Sequence, residues 1–162
     1  MVFVATNDSD GRVDVSPKGD PAGFVHVVDE TTLVVPDRKG NNLADSLLNV
    51  IDTGRIGMIF VVPGKRETLR VNGSAIVTSD PELLEQLSAG GKPALLCTKV
   101  TVEECFFHCG KAMIRSKVCQ PDTWGDASDT LMTEQLAVAL GDAEFAPAVS
   151  EALEADYVEN LY

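Results

Sequence analysis

No apolar run in the 162 residues approaches the roughly 20 that a helix needs to cross a bilayer, so a membrane-spanning chain is not expected. The opening Met-Val-Phe-Val-Ala-Thr has neither a basic stretch nor a long apolar segment, which argues against an export signal and for a cytoplasmic protein. Basic residues are scarce: 13 Lys and Arg stand against 25 Asp and Glu, giving a net charge of −12. A chain this negative repels nucleic-acid backbones and anionic lipid surfaces, so neither is an expected partner. The four cysteines, Cys97, Cys105, Cys109 and Cys119, contain no Cys-x-x-Cys pair, and His26 and His108 are the only histidines. That set predicts no metal site and four reduced thiols. A strand followed by Gly-x-Gly-x-x-Gly is also missing, which excludes a Rossmann dinucleotide site. There are no repeats and no low-complexity tracts.

What is present reads as a globular domain. Hydrophobic residues make up 44% and charged residues 23%, and the length fits one domain rather than two. Residues 2–6 and 13–16 alternate as strands around an Asn7-Asp-Ser-Asp-Gly11 hairpin turn. A loop at 17–21 follows, and then a second strand pair, 24–28 and 32–35. Over 42–52 the period changes: Leu43, Leu47, Val50 and Ile51 fall on one helical face, and Gly54 ends it. Residues 56–62 read as a buried strand, 69–78 as its neighbour and 95–107 as another. Asp80-Pro81 starts a short helix that Gly90-Gly91 should stop. Residues 108–117 read as helical, with Lys111 and Arg115 four apart on one side. Beyond Pro121 the chain becomes acidic and alanine-rich, with helices at 131–140 and 148–161.

Hairpin-linked strands argue for a mainly β fold, an antiparallel sheet closed into a barrel, with short helices and a helical tail. The expected division is a barrel over residues 1–120 with a tail, 121–162, packed on it. Two strand ends stand out: Asp14-Val-Ser-Pro-Lys-Gly-Asp20 and Leu33-Val-Val-Pro-Asp-Arg-Lys-Gly-Asn-Asn42 carry Lys, Arg and Gly in an acidic chain. Gly40-Asn-Asn42 leads into a helix, and cations beside a helix N-terminus make a seat for an anion such as a phosphate. The plain alternative is that these are solvated charges and that Gly40 merely shapes a turn.

Residues 13–19, Leu33 to Asn42, Gly57-Met-Ile-Phe-Val-Val-Pro-Gly64 and Glu67-Thr-Leu-Arg-Val-Asn-Gly-Ser-Ala75 resemble, in order and interval, the pyridoxamine 5'-phosphate oxidase-like flavoproteins. Phe106-Phe-His-Cys-Gly-Lys-Ala-Met-Ile-Arg-Ser-Lys117 is similar to a bacterial FMN-binding subfamily of that group. The resemblance covers residues 3–118, and the tail is similar too. It implies a Greek-key split β-barrel of the FMN-binding type that forms a homodimer, with FMN in clefts at the subunit interface.

Carried over residue by residue, the resemblance assigns Ser16 and Lys18 to the flavin ring or its ribityl chain. It assigns the loop of Pro36, Asp37, Arg38, Asn41 and Asn42 to the phosphate and ribityl. Thr68 takes the place of a glutamine at the ring edge, with Arg70 after it. Lys111, Arg115 and Ser116 would reach the cofactor, or the neighbouring subunit's copy. Where the oxidases proper have Ser-Arg-Lys after the phosphate-loop turn, this chain has Gly-Asn-Asn. Its last residues, Tyr157 to Tyr162, are acidic and lack the arginine that grips the oxidases' substrate. Pyridoxamine-phosphate oxidation itself is therefore not expected. The helix that usually precedes the first strand is also missing from this sequence, which predicts a weaker dimer or an exposed barrel edge.

The implied function is an FMN-dependent oxidoreductase with a small-molecule donor or acceptor that the sequence does not name. The alternatives are a flavin carrier without turnover, or a cleft that holds a deazaflavin or haem. His108-Cys109 reads as packing or capping rather than as a redox or metal pair. Trp124 reads as tail packing rather than a flavin cover, and Glu151, Glu154, Asp156 and Glu159 as a solvated helix face.

Overall fold

The computed structural model describes residues 1–41, 43–125, 131–142, 145–159 and 161. By internal contacts the chain divides into two compact units, Met1–Cys119 and Gln120–Tyr162. In the first, the described residues form seven strands: β1 (Val2–Asn7), β2 (Val13–Lys18), β3 (His26–Val27), β4 (Thr32–Asp37), β5 (Arg55–Phe60), β6 (Thr68–Thr78) and β7 (Leu96–His108). Three short helices interrupt them, α1 (Asp45–Thr53), α2 (Pro81–Gln86) and α3 (Lys111–Arg115). The mainly β expectation holds, and every pairing is antiparallel, in the order β2-β1-β5-β6-β7-β4-β3.

The strands follow from alternation. Val2, Val4 and Thr6 of β1, Ile56 and Met58 of β5, and Val71 and Ala75 of β6 are the buried members of their strands. With Val35, Val50 and Val100 the apolar ones form the main core. A smaller core gathers Val34, Leu87, Ala94 and Cys97. Burial of a Val or Ile side chain stabilises by about 1.5–3 kcal/mol, so these alternating positions fix the register.

The sheet differs from the closed barrel in one respect. Among the described residues no backbone ladder joins β2 to β3, the two ends of the order. Side chains span the split instead: Lys18, the last residue of β2, bonds Asp37, the last of β4, and Arg38 bonds Asp20.

Local boundaries also moved. β2 runs through Pro17 to Lys18, two residues into the expected loop, because Val2–Asn7 pairs with all of Val13–Lys18. The first helix begins at Asp45, and Leu43 and Ile51, placed on its inner face by periodicity, are exposed. The helix buries Ser46 and Val50, and polar contacts dock it: Asn49 Nδ2 donates to Thr6 Oγ1 at 3.1 Å and Thr53 Oγ1 to the Asn7 carbonyl at 3.1 Å. Gly54 caps it in the left-handed region as expected.

Asp80 caps α2, its Oδ1 accepting from Glu82 N at 2.9 Å. The helix stops at Gln86, before Gly90 and Gly91, which form a tight turn at positive φ between Ala89 and Lys92. β7 extends to His108, so the helix expected over 108–117 shrinks to α3.

β6 and β7 make a long ribbon broken by a bulge. Asn72 faces Glu104 and Gly73 faces Val102, leaving Glu103 as the extra residue. A Cβ on Gly73 would lie 2.0 Å from the Thr101 carbonyl oxygen, so only glycine fits there. Arg55 holds the displaced Glu103 in a bidentate pair at 2.7 and 2.9 Å.

The second unit holds a short 3-10 turn, Pro121–Thr123, and helices α4 (Leu131–Leu140) and α5 (Phe145–Glu159), close to the expected tail helices. On α4, Thr133 and Ala137 are buried one turn apart. Among the described residues no helix is long and apolar enough to cross a membrane.

Candidate functional site

The two basic strand ends, far apart in sequence, come together. A cleft of about 450 Å³ opens between residues 16–20 and 36–44, with Ser16, Lys18, Pro36, Asp37, Arg38 and Asn41 in its walls. That volume falls in the range of roughly 300–1,000 Å³ usual for small-molecule sites. Alternation on β2 explains one wall: Asp14, Ser16 and Lys18 turn to the more buried face, while Val13, Val15 and Pro17 face outward. Asn42 lies outside the described residues.

The cations here are differently employed. Lys18 pairs with Asp37, both side chains about four-fifths buried. Arg38 Nε donates to Asp20 Oδ2 at 2.7 Å and its Nη2 to the Leu87 carbonyl at 2.5 Å. Its side chain is 16% exposed and that of Asp20 only 2%. Arg38 Nη1 is buried with no hydrogen-bond acceptor, an arrangement that costs about 1–3 kcal/mol or more for a charged donor. Arg38 therefore ties β4, the 18–20 segment and the end of α2 together before any ligand arrives. Lys39, by contrast, is exposed on the cleft wall. Burial pushes the Cys97 thiol above its ordinary range, with Arg38 pulling the other way.

At the far wall stands the start of α1. Ala44 at its N-cap offers no side-chain cap, and Asn41 Oδ1 accepts from Leu43 N at 3.1 Å. The N-cap residue of this nine-residue helix thus supplies no side-chain acceptor to the first-turn amides. Cationic side chains, an orphaned guanidinium nitrogen and an uncapped helix start form a donor set that fits a phosphate ester.

The remaining predicted residues gather elsewhere. Thr68 faces His108 and Arg70 faces Phe106 across the ribbon, with the Arg70 guanidinium 5.7 Å from the Phe106 ring centre. Lys111, Arg115 and Ser116 are exposed on or just after α3. None of these five lines the cleft. Gly110 brings α3 against the 63–67 turn, where a Cβ would lie 2.8 Å from Arg66 Cβ. Cys119 Sγ donates to the Lys65 carbonyl at 3.3 Å nearby. His108 and Cys109 are exposed, and Trp124, in the second unit, is 60% exposed. No group of three or more metal-binding side chains occurs among the described residues.

Lys39, read from the sequence as one of the strand-end cations, lines the wall, and sequence reasoning missed Asp20 and Phe24 there. A partial signal for Asp20 was available: it is one of two acids in the first segment, and Arg38 is one of two bases in the second.

Residues 1–109 match the family model described as "Pyridoxamine 5'-phosphate oxidase". Among solved structures, HupZ from Group A Streptococcus is 19% identical with a TM-score of 0.53, over 65% of this chain and 82% of that one. An FMN-binding protein from Syntrophomonas wolfei subsp. wolfei is 10% identical with a TM-score of 0.50, over 65% of this chain and 75% of that one. Identities this low show a shared fold. No curated protein matches the chain. With two thirds of its length matched by the family model, the chain belongs to the pyridoxamine 5'-phosphate oxidase family.

Proposed function

We propose that this protein is an FMN-binding flavoprotein acting as an oxidoreductase, with the FMN phosphate held in the cleft between residues 16–20 and 36–44. The observation that carries this reading is that Lys18, Arg38 and Lys39 share one cleft with the start of α1, in a chain of net charge −12. Lys39 and the α1 amides would take phosphate oxygens, and Arg38, already fixed by Asp20, would present charge without losing side-chain freedom. Ser16 and Asn41 supply neutral hydrogen-bonding groups to the ribityl chain or ring edge. Bound FMN would supply reversible hydride and electron transfer, and the chain would orient the ring and tune it by hydrogen bonds.

The homodimer belongs to the same proposal. The β4–β7 ladder ends at Thr101, so beyond the bulge β7 has β6 on one side and, among the described residues, no strand on the other. Phe107 on that stretch is 77% exposed. A second copy covering this edge would carry Arg70, Lys111 and Arg115 toward its partner's cleft. The test of that arm is Phe107→Glu, expected to give monomers by size exclusion and weaker FMN uptake. A variant that stays dimeric would remove the edge from the interface.

Purified protein should carry a yellow chromophore that leaves as FMN on denaturation. Flavin-stripped protein should bind FMN roughly tenfold or more tightly than riboflavin, since only FMN offers charge-assisted hydrogen bonds. Failure to take up FMN overturns the reading, and release of a deazaflavin or haem would replace the cofactor.

A carrier without turnover is favoured by one observation: neither histidine and none of the cysteines lines the cleft, so its wall offers no imidazole or thiol for proton transfer. Anaerobic bleaching of the bound flavin by NADH or NADPH supports the enzyme, and an unbleached flavin supports the carrier.

A further inference from the structure

A second hollow of about 710 Å³ lies beside the cleft and shares Asp20 and Phe24 with it. Its floor is the fringe of the main core, where Phe24, Leu33, Phe60 and Val102 pack partly buried against the central cluster. Val27 stands 64% exposed on its lining. The charged side chains among its described lining residues are all carboxylates: Asp20, Asp29 and Glu30. The Met1 amino group, also at this wall, donates to the Val61 carbonyl at 3.1 Å.

The carboxylates are not equivalent. Asp20 is balanced by Arg38. Asp29 and Glu30 sit in the exposed turn between β3 and β4. Asp29 Oδ1 accepts from Thr31 N at 2.8 Å and Thr31 Oγ1 at 3.1 Å. The Thr31 N–H, and with it the Thr32 hydroxyl, holds the Asp29 carboxyl below its ordinary range, so the charge persists. An anion entering here would give up hydration against an apolar wall and face Asp29 and Glu30, with the Met1 ammonium, which donates to the Val61 carbonyl, as the cation among the described lining groups. A neutral apolar body would meet neither cost, and a cationic one would offset its desolvation by attraction to the carboxylates.

We infer that this cavity is a second small-molecule site, one that accepts an apolar molecule, uncharged or cationic, and rejects anions. The occupant's role as substrate rests on the flavin reading; its chemistry rests on the cavity alone. Phosphorylated substrates are thereby excluded from this side, and the substrate class narrows to apolar amines or neutral aromatic or aliphatic compounds.

Two fluorescent probes test the selectivity: N-phenyl-1-naphthylamine is neutral, and 1-anilinonaphthalene-8-sulfonate has the same ring system with one added sulfonate. With FMN present in excess, so that the cationic cleft is closed to the sulfonate, the neutral probe should saturate at a single site and bind roughly tenfold more tightly than the sulfonate. The Asp29→Asn/Glu30→Gln double variant, confined to an exposed turn, should shrink that gap to about threefold or less by removing the rim charge. Val27→Trp, also at an exposed position, should fill part of the cavity and lower binding of the neutral probe. Equal affinity for the two probes, or a gap unchanged in the double variant, overturns the inference. Loss of the neutral probe's signal as the chain self-associates would give the cavity to a second copy and overturn it too. FMN titrated separately keeps the two readings distinct. A chain that binds FMN but shows no selective probe site loses this inference alone. A chain that takes the probe selectively but binds no FMN keeps the cavity and loses the flavin reading with the substrate role.

Discussion

The cleft and the cavity beside it share a wall, yet their chemistry is opposed. The cleft has Lys18, Arg38 and Lys39 in its walls and the start of a helix at one side. The cavity has apolar side chains on its floor and carboxylates on its rim. The difference teaches how a strongly acidic chain builds a place for an anion: it collects its few cations where strand ends meet and leaves the next surface to the core. The boundary between them is one buried ion pair, Asp20 with Arg38, so a single contact maintains both characters.

Breaking that boundary has the largest expected effect. Arg38→Met removes the guanidinium that balances Asp20, 2% exposed, which should cost about 3–5 kcal/mol. Urea unfolding would show a lower midpoint, and both FMN and the neutral probe should bind poorly. Asp20→Asn/Arg38→Met should recover much of the stability, because two uncharged partners leave no buried charge. An Arg38→Met protein of unchanged midpoint that loses only FMN would make Arg38 a ligand and not a wall.

The next test separates the two hollows. Lys39→Ala should weaken FMN about tenfold, the worth of one charge-assisted hydrogen bond at about 1.5 kcal/mol. Riboflavin and the neutral probe should stay within about twofold, because neither depends on charge at that wall. Loss of all three together would place Lys39 in the framework. Salt draws the same line more gently. Raising sodium chloride from about 0.05 to about 0.5 M should weaken FMN several-fold by screening, while the neutral probe holds or tightens. A probe that weakens in parallel with FMN would erase the contrast.

The smallest effect serves as a control outside both hollows. Arg55 holds the Glu103 carboxyl below its ordinary value of 4.5, chiefly through its hydrogen bonds. A carboxyl depressed in the folded state contributes stability above its unfolded value and loses it as pH falls through the folded one. Wild type should therefore melt slightly higher than Glu103→Gln at about pH 7, and the gap should close at pH values below the folded titration. FMN and probe affinities should not change at about pH 7. A gap that persisted in acid would mean Glu103 acts by packing, not by charge.

Legibility in the sequence followed the kind of contact involved. β1, β5 and β6 were readable because each has one buried face, and the Asp80-Pro81 start of α2 was readable because its cap is two residues from its donor. The edges of α1 were not. Leu43 and Ile51 have the right period, but Asn49 and Thr53 settle the docking through contacts to Thr6 and Asn7, more than 40 residues away. The outer half of β7 fell within the strand read over 95–107, although residues 103–108 are exposed and, among the described residues, pair with β6 only. For the site, the meeting of residues 16–20 with 36–41 was legible as two basic strand ends. The grip of Arg38 on the Leu87 carbonyl was not, because a backbone acceptor 49 residues away leaves no mark in the sequence.

Gly73 has a consequence for the shape of the whole ribbon. The crease at that position turns the outer part of β6 and β7, which carries Arg70, Phe106 and Phe107 and leads on to α3. Because Thr101 leaves no space for even one methyl group there, any other residue at that position would force the crease itself to shift. The ribbon behaves as an arm with a fixed elbow. Replacing Gly73 would therefore disturb the aim of the whole arm as well as the local pairing.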